Sequence, residues 1–417
     1  MSLFLLIRLF CLILLTLPIS TNAQISVGIG RSELTPPTGT PSAGYSERQG
    51  AGMEGVHDPL LALALLIDNG TQKIVFCSVD HLGFTYQMCQ AIVNQVHLHP
   101  GLETCEIYIG SSHTHSGGGA YLDLPLIGEN LAGPYDAQLT KFAVQKTVEA
   151  IVQASKNPVL AKIGIGYGQA ADISHYRGSW PTDIQPLSDA TILKITHLDD
   201  TPLAVLFNYP LHPTLLKSQN RLFSADFVGY ARQHLKEYLG KEVHAIYFNG
   251  AQGDIIPIVS DEENRFASCE YIGEKLADAV AKIWQDTATN TRLEIDFQKK
   301  TYSFTPQSTP FGLKLPIEIY ETEINILVLN RLHAFVSIPG ELSCLYDKSY
   351  KNYGKSLGFR NVSILGLTND AHGYIILPES WQHKTFESNL SFGGESYGET
   401  VKDLTFLILK SYSPIFK

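Results

Sequence analysis

Short apolar runs alternate along this chain with longer stretches in which apolar positions recur at helical spacing. Residues 25–29 read as a first strand, ended by Glu33-Leu34-Thr35-Pro36-Pro37. Residues 60–67 and 73–79 read as two strands joined at Asp68-Asn69-Gly70, because Asn-Gly readily adopts the positive φ angles of a tight hairpin. Residues 84–96 have helical spacing, 107–110 form a strand, and 137–154 form an amphipathic helix. Strands are then predicted at 161–166, 191–196 and 202–209, a helix at 227–238, a strand at 243–248 and a long helix at 264–285. Late strands fall at 323–329, 334–338 and 362–367. Hairpins mixed with helical crossovers predict an α/β fold of layered mixed β-sheets flanked by helices, not one doubly wound parallel sheet.

The N-terminus predicts a targeting segment. Arg8 and the terminal amine flank an almost wholly apolar run at 9–17, Pro18 breaks it, and Thr21-Asn22-Ala23 offers a small residue for cleavage. Residues 1–23 are therefore expected to be a secretory signal, leaving 24–417 as an exported chain, periplasmic or extracellular. The run is shorter than the ~20 residues a membrane span requires, and no transmembrane segment is expected in the mature protein. No linker, repeat or low-complexity tract divides residues 24–417, which predicts one large domain. A composition of 44% hydrophobic and 17% charged residues suits a well-packed interior. The net charge of −10 argues against nucleic acid, which needs clustered Lys and Arg, and gives no attraction to anionic membranes. Five cysteines remain beyond Ala23 with no CxxC; Cys77 and Cys344, in or beside apolar runs, are expected as buried thiols.

Four times an apolar strand stops and polar chemistry begins. His113-Thr114-His115-Ser116-Gly117 follows the 107–110 strand. Side chains at i and i+2 of a strand share a face, which would send both imidazoles into one pocket. Pro210-Leu211-His212-Pro213 clamps a third histidine between prolines that restrict the backbone. Ile338-Pro339-Gly340-Glu341 sets a carboxylate after a Pro-Gly corner, and Leu367-Thr368-Asn369-Asp370-Ala371-His372-Gly373-Tyr374 is the fourth strand end. Imidazoles plus a carboxylate form the usual catalytic zinc set. They serve equally as turn-stabilising or helix-capping residues when each is taken alone. Arg177, in Ile173-Ser174-His175-Tyr176-Arg177-Gly178, is able to hold a developing oxyanion, although its local sequence favours a surface salt bridge.

These residues resemble the catalytic domain of the neutral ceramidases, zinc-dependent amidases that cleave the N-acyl bond of ceramide. The resemblance runs through Gly28-Ile29-Gly30, Thr35-Pro36-Pro37, Gly44-Tyr45 and Val56-His57-Asp58-Pro59-Leu60 to Ser112-His113-Thr114-His115-Ser116-Gly117. It continues with His212-Pro213-Thr214, Ser224-Ala225-Asp226, Gly229-Tyr230, Gln252-Gly253-Asp254 and Pro339-Gly340-Glu341. It implies zinc ligands at His113, His212, Glu341 and Tyr374. His115 falls on a residue that binds the substrate carbonyl and transfers protons, and Arg177 falls near an active-site arginine. The chain departs from the family pattern at Ile256, which stands where the family has a serine, and at Phe386, which stands for a second tyrosine. It also stops before the family's immunoglobulin-like C-terminal domain would be reached.

The implied reaction is hydrolysis of an N-acyl amide, in ceramide or a related N-acyl lipid, by a zinc-activated water. Such a route needs no serine at position 256. A metal-dependent esterase or other hydrolase acting on a smaller acyl substrate, and a catalytically silent zinc-binding homologue, are the competing readings.

Overall fold

In most strands of this protein both faces are buried, and this is why they read as unbroken apolar runs rather than alternating ones. In Val75-Phe76-Cys77, Phe76 joins one apolar cluster while Val75 and Cys77 join another. Leu206 and Ile246 likewise face away from their neighbours Val205, Phe207, Ala245 and Tyr247. The computed structural model describes residues 24–413, so the segment expected as a secretory signal lies outside the described residues.

The larger sheet has eight strands in the order His244–Asn249, Pro202–Tyr209, Asp189–His197, Val159–Gln169, Ser26–Glu33, Leu61–Asp68, Lys73–Val79 and Glu106–Ser111. Its two end pairs are parallel and the pairs between them antiparallel. A second sheet of four strands runs Ile295–Phe304, Tyr320–Leu329, His333–Ser337 and Asn361–Leu365. The sheets pack face to face: Phe76, Tyr108, Leu206, Ile246 and Phe248 of the first share a core with Leu327, Leu329, Phe335 and Leu365 of the second.

Helices cover the outer faces. Tyr86–Val96 and Ala137–Ala154 pack on one part of the large sheet, and Phe227–Leu239 and Arg265–Asp286 on the rest. Asp347–Ser356 and Tyr397–Ser411 cover the small sheet. The layers therefore run helix, sheet, sheet, helix, as the mixed hairpin and crossover pattern predicts.

One expectation needs correction, and the apolar pattern missed some elements. The strand Ile295–Phe304 and the helices Asp347–Ser356 and Tyr397–Ser411 were not predicted. Histidines 113 and 115 do not share a strand face, because the strand ends at Ser111 and His113 adopts a left-handed φ of 73°. The rings still meet, with centroids 4.9 Å apart, through a turn rather than through strand alternation. All five described cysteines are buried and unpaired, as expected for Cys77 and Cys344. Among the described residues no helix is long and apolar enough to cross a membrane.

Candidate functional site

The residues singled out for chemistry follow the C-terminal ends of strands drawn from both sheets. His113 follows Glu106–Ser111, His212 follows Pro202–Tyr209, Glu341 follows His333–Ser337, and Tyr374 follows Asn361–Leu365. Loops at that end of an α/β scaffold are where ligand chemistry gathers. Buried amides tie the ends together. Asn249 Nδ2 donates to the carbonyls of Ser112 (3.2 Å) and Leu211 (3.0 Å), one in each histidine-bearing segment. Asn208 Nδ2 bridges Phe248 and Ile364, and Asn369 Nδ2 donates to Ile107, so the two sheets are hydrogen-bonded at the site's floor.

Three acceptor atoms converge there. His113 Nε2 and His212 Nε2 lie 3.2 Å apart, and each is 3.1 Å from Glu341 Oε2. The other ring nitrogen of each histidine is committed elsewhere. His113 Nδ1 donates to the Leu82 carbonyl at 2.6 Å, and His212 Nδ1 to the Gln252 carbonyl at 2.9 Å. A carbonyl only accepts, so both rings carry their proton on Nδ1 and present a lone pair at Nε2. The nearest side-chain donor to the carboxylate oxygen is Gln252 Nε2, at 3.5 Å. Three mutually facing acceptors repel one another unless a cation lies among them.

The state of His212 agrees. Burial, followed by the charge of Arg177, pushes the His212 imidazolium down to about 4. Burial opposes ionisation of Glu341; the pull from the direction of His113 and His212 that holds its carboxyl well below the usual range needs positive charge there, which neutral imidazoles do not supply and a cation among the three atoms would. A neutral imidazole beside an ionised carboxylate is the state metal ligation requires. His115 joins the other two histidines in a cluster whose ligand atoms all lie within 4.8 Å. Of the two candidate triads the Glu341 set is the tighter, and both of its rings are oriented by carbonyls.

His115 has a different character. Neither ring nitrogen has a hydrogen-bond partner although both are buried, and the ring lines the site cavity. Burial, then the neighbouring histidines, lowers its imidazolium well below the ordinary value. Gly44 makes room for it: with φ at 107°, a side chain there would lie 2.3 Å from His115 Nδ1. Arg48 fixes its backbone, donating from Nη1 to the His115 carbonyl at 2.5 Å.

Arg177 is not on the surface. It follows the strand Ser174–Tyr176, which pairs with Ile255–Pro257 and sets Ile256 opposite His175. Its Nη2 donates to Tyr374 Oη at 2.9 Å and to the Gly253 carbonyl at 2.7 Å, while Nε pairs with the buried Glu387 carboxylate at 3.0 Å. The salt bridge suggested by its local sequence exists, but it orients the guanidinium inside the site. Burial raises the Tyr374 phenol well above the tyrosine range; Arg177 opposes that shift, the direction a phenolate needs. Burial pulls Arg177 down, but Tyr374, Glu387 and Glu341 outweigh it and keep its charge fixed.

These side chains open on a cavity of about 470 Å³. His113, His115, Glu341, Tyr374 and Arg177 form its polar end, and Leu82, Leu126, Ile127, Leu131, Leu313 and Leu390 its apolar walls. Ile256 and Phe386 also line it, and the Phe386 ring lies 5.0 Å from the Arg177 guanidinium carbon. Glu387, Arg48 and Gln252 had no place in the sequence reading of the site; only their tertiary partners reveal them.

Residues 25–264 match the model of the family described as neutral/alkaline non-lysosomal ceramidase, N-terminal. The chain is 27% identical over 239 residues to the neutral ceramidase of Drosophila melanogaster and 26% over 235 residues to that of Drosophila pseudoobscura pseudoobscura. Each match covers 52% of this chain and 33% of the relative, so the chain spans only a third of the length of these curated relatives. Neutral ceramidase A of Dictyostelium discoideum is 24% identical over 229 residues, 51% of this chain and 32% of its own. In fold, the crystal structure of neutral ceramidase from Pseudomonas aeruginosa matches with a TM-score of 0.82 at 15% identity, covering 93% of this chain and 74% of that one. A ceramidase complexed with C2 matches with a TM-score of 0.81 at 15% identity, covering 93% and 75%. This chain belongs to the neutral/alkaline non-lysosomal ceramidase family.

Proposed function

We propose that this protein is an exported zinc-dependent amidase that hydrolyses the N-acyl bond of ceramide or a related N-acyl lipid. The observation that carries the reading is the 3.1–3.2 Å triangle of lone-pair atoms on His113, His212 and Glu341 beside a cavity walled in part by leucine and isoleucine side chains. Two imidazoles, one carboxylate and the Tyr374 phenol would hold the ion. Nitrogen and oxygen donors of this kind suit zinc, and ligands about 2.0–2.1 Å from an ion sit at roughly this mutual spacing. A bound zinc ion lowers the pKa of water to about 7 and polarises a carbonyl.

The remaining steps fall to the chain's own side chains. His115, neutral and without a partner, accepts a proton as the attacking water adds, then delivers it to the leaving nitrogen. Arg177 supplies a fixed positive charge beside the carbonyl oxygen as that oxygen becomes anionic. The leucine walls take the acyl chain and exclude water. Ile256 has no hydroxyl, so it neither attacks nor donates, and the proposed route asks neither of it.

Ile256 also supports a second reading, a metal-binding homologue without turnover. One assay separates the two. Zinc-quantified protein is incubated with an N-acyl sphingosine and with an ester of the same acyl chain, before and after chelation. Chelator-sensitive release of the amine is expected. Cleavage of the ester alone would favour a metal-dependent esterase, and no cleavage of either by fully loaded protein would favour the silent homologue.

A further inference from the structure

Lys217 lines the same cavity and has no part in the reaction above. Its backbone is tied to the site's framework. It adopts a left-handed φ of 58°, and its carbonyl accepts from Arg48 Nη2 at 2.9 Å, the same guanidinium that holds the His115 carbonyl. Arg48 Nε reaches the next carbonyl, Ser218, at 3.2 Å. The ammonium therefore stands on a wall clamped to the segment bearing His115.

The other charges on that wall already have partners. Arg177 is matched by Glu387 and by the Tyr374 phenol, and Glu341 is enclosed by two imidazoles. Asp226 and Glu262 act on Lys217 favourably, Arg265 and Arg177 unfavourably, and burial pulls its ammonium below the ordinary lysine value. Asp226 accepts from the backbone N–H of Phe227 at the start of the helix Phe227–Leu239 and from that of Leu216, the residue before Lys217, and Glu262 pairs with Arg265. Glu47 is the remaining carboxylate of the lining and sits exposed at the rim. Among the described residues no carboxylate pairs with Lys217 within 4.0 Å.

A half-buried ammonium without a counter-ion has lost solvation that a bound anion restores. We propose that Lys217 selects the substrate of this site, favouring N-acylated amines that carry an anionic group, such as the carboxylate of an amino acid. This rests on the amidase reading and narrows it, away from neutral N-acyl sphingoid bases and towards N-acyl amino acids or their sulfonate or phosphate counterparts.

The test compares N-dodecanoylglycine with N-dodecanoylethanolamine, which share an acyl chain and differ in a carboxylate against a hydroxymethyl group. The wild type should favour the glycine conjugate in kcat/KM by on the order of tenfold, as expected for one charge-assisted contact. Lys217→Met should bring that ratio close to one, and Lys217→Arg should keep most of it. Calorimetric titration of both compounds into wild type and both variants reads the same preference without turnover. If the wild type hydrolyses neither compound, the amidase reading fails, and the binding ratio still decides the role of Lys217. Equal binding of the two compounds by the wild type, or a preference that survives in a folded Lys217→Met, overturns the proposal.

Discussion

Glu341 and Tyr374 are direct register partners in a two-stranded parallel ribbon, Glu341–Leu342 against Tyr374–Ile375. Paired residues of neighbouring strands project to the same side. The ribbon thus sets a carboxylate and a phenol next to each other from loops that follow different strands of the small sheet. Its backbone is closely fitted: Glu341 N donates to the Gly373 carbonyl at 2.9 Å, and a Cβ on Gly340 would lie 2.5 Å from that same oxygen. Gly340→Ala must push the ribbon apart. We expect it to weaken zinc affinity by on the order of tenfold, as displaced supporting groups do at metal sites. Competition with a calibrated chelator reads this, and unchanged affinity would mean the ribbon does not position the ligands.

Removal of either ring that points a lone pair at Glu341 should have a larger effect. His113→Ala and His212→Ala are each expected to lose stoichiometric zinc and to lower turnover by at least about a hundredfold. Elemental analysis of purified variants, with circular dichroism to show that they fold, measures the loss. Full metal content and activity in either variant would refute the ligand assignment.

Glu387 touches neither the triangle nor the reacting bond; it holds Arg177. Glu387→Gln keeps the shape and an acceptor for Arg177 Nε but removes the negative charge that holds the guanidinium. The expected result is a fall in kcat of about ten- to a hundredfold with zinc content unchanged and KM little altered. A purely structural role would instead lower the melting temperature and leave kcat of the folded fraction intact.

The metal-free chain should lose stability as pH falls below about 6.5. Burial is the main cause holding His81 at about 3, His212 at about 4 and His333 at about 4, and it also lowers His115. In the unfolded chain these groups titrate near 6.5, so the unfolded state binds the extra protons between about 6.5 and 4, and stability rises with pH across that window. Glu106 and Asp226, raised by burial to about 7 and about 6, oppose the trend together with Asp254 and Asp347, but burial also lowers His175 and His244, which leaves six rings against four carboxyls. Each uncompensated proton contributes up to about 1.4 kcal/mol per pH unit. Urea midpoints at pH 7.5 and 5.0 decide it; an equal or higher midpoint at pH 5.0 would contradict the burial of these rings.

Much of this architecture was legible from apolar patterning. The strands Lys73–Val79 and Pro202–Tyr209 and the helix Ala137–Ala154 have the bounds their spacing predicts, because each buries a continuous apolar face. Ile295–Phe304 was missed because it is an edge strand with Lys299 and Lys300 at its centre and mostly exposed side chains. Asp347–Ser356 buries only Asp347, Tyr350 and Gly354 and is polar overall, so no apolar run marks it. Tyr397–Ser411 did carry one, with Tyr397, Val401, Ile408 and Leu409 on the buried side. At the site, His113, His115, His212 and Glu341 were visible because each follows an abrupt strand end. Arg48, Lys217 and Glu387 were not, since nothing local separates an arginine, lysine or glutamate that reaches into a cavity from one in solvent.

In the proposed site four loops bring two imidazoles, one carboxylate and one phenol to a single divalent ion. X-ray absorption at the zinc edge of the purified, zinc-loaded protein tests it most directly, with Tyr374→Phe and His212→Ala alongside. One ion per chain is predicted, with two imidazole nitrogens and the remaining ligands oxygen; His212→Ala should lose an imidazole and Tyr374→Phe an oxygen. A sulfur-containing shell, or a shell unchanged in both variants, would place the ion elsewhere and contradict the site described here.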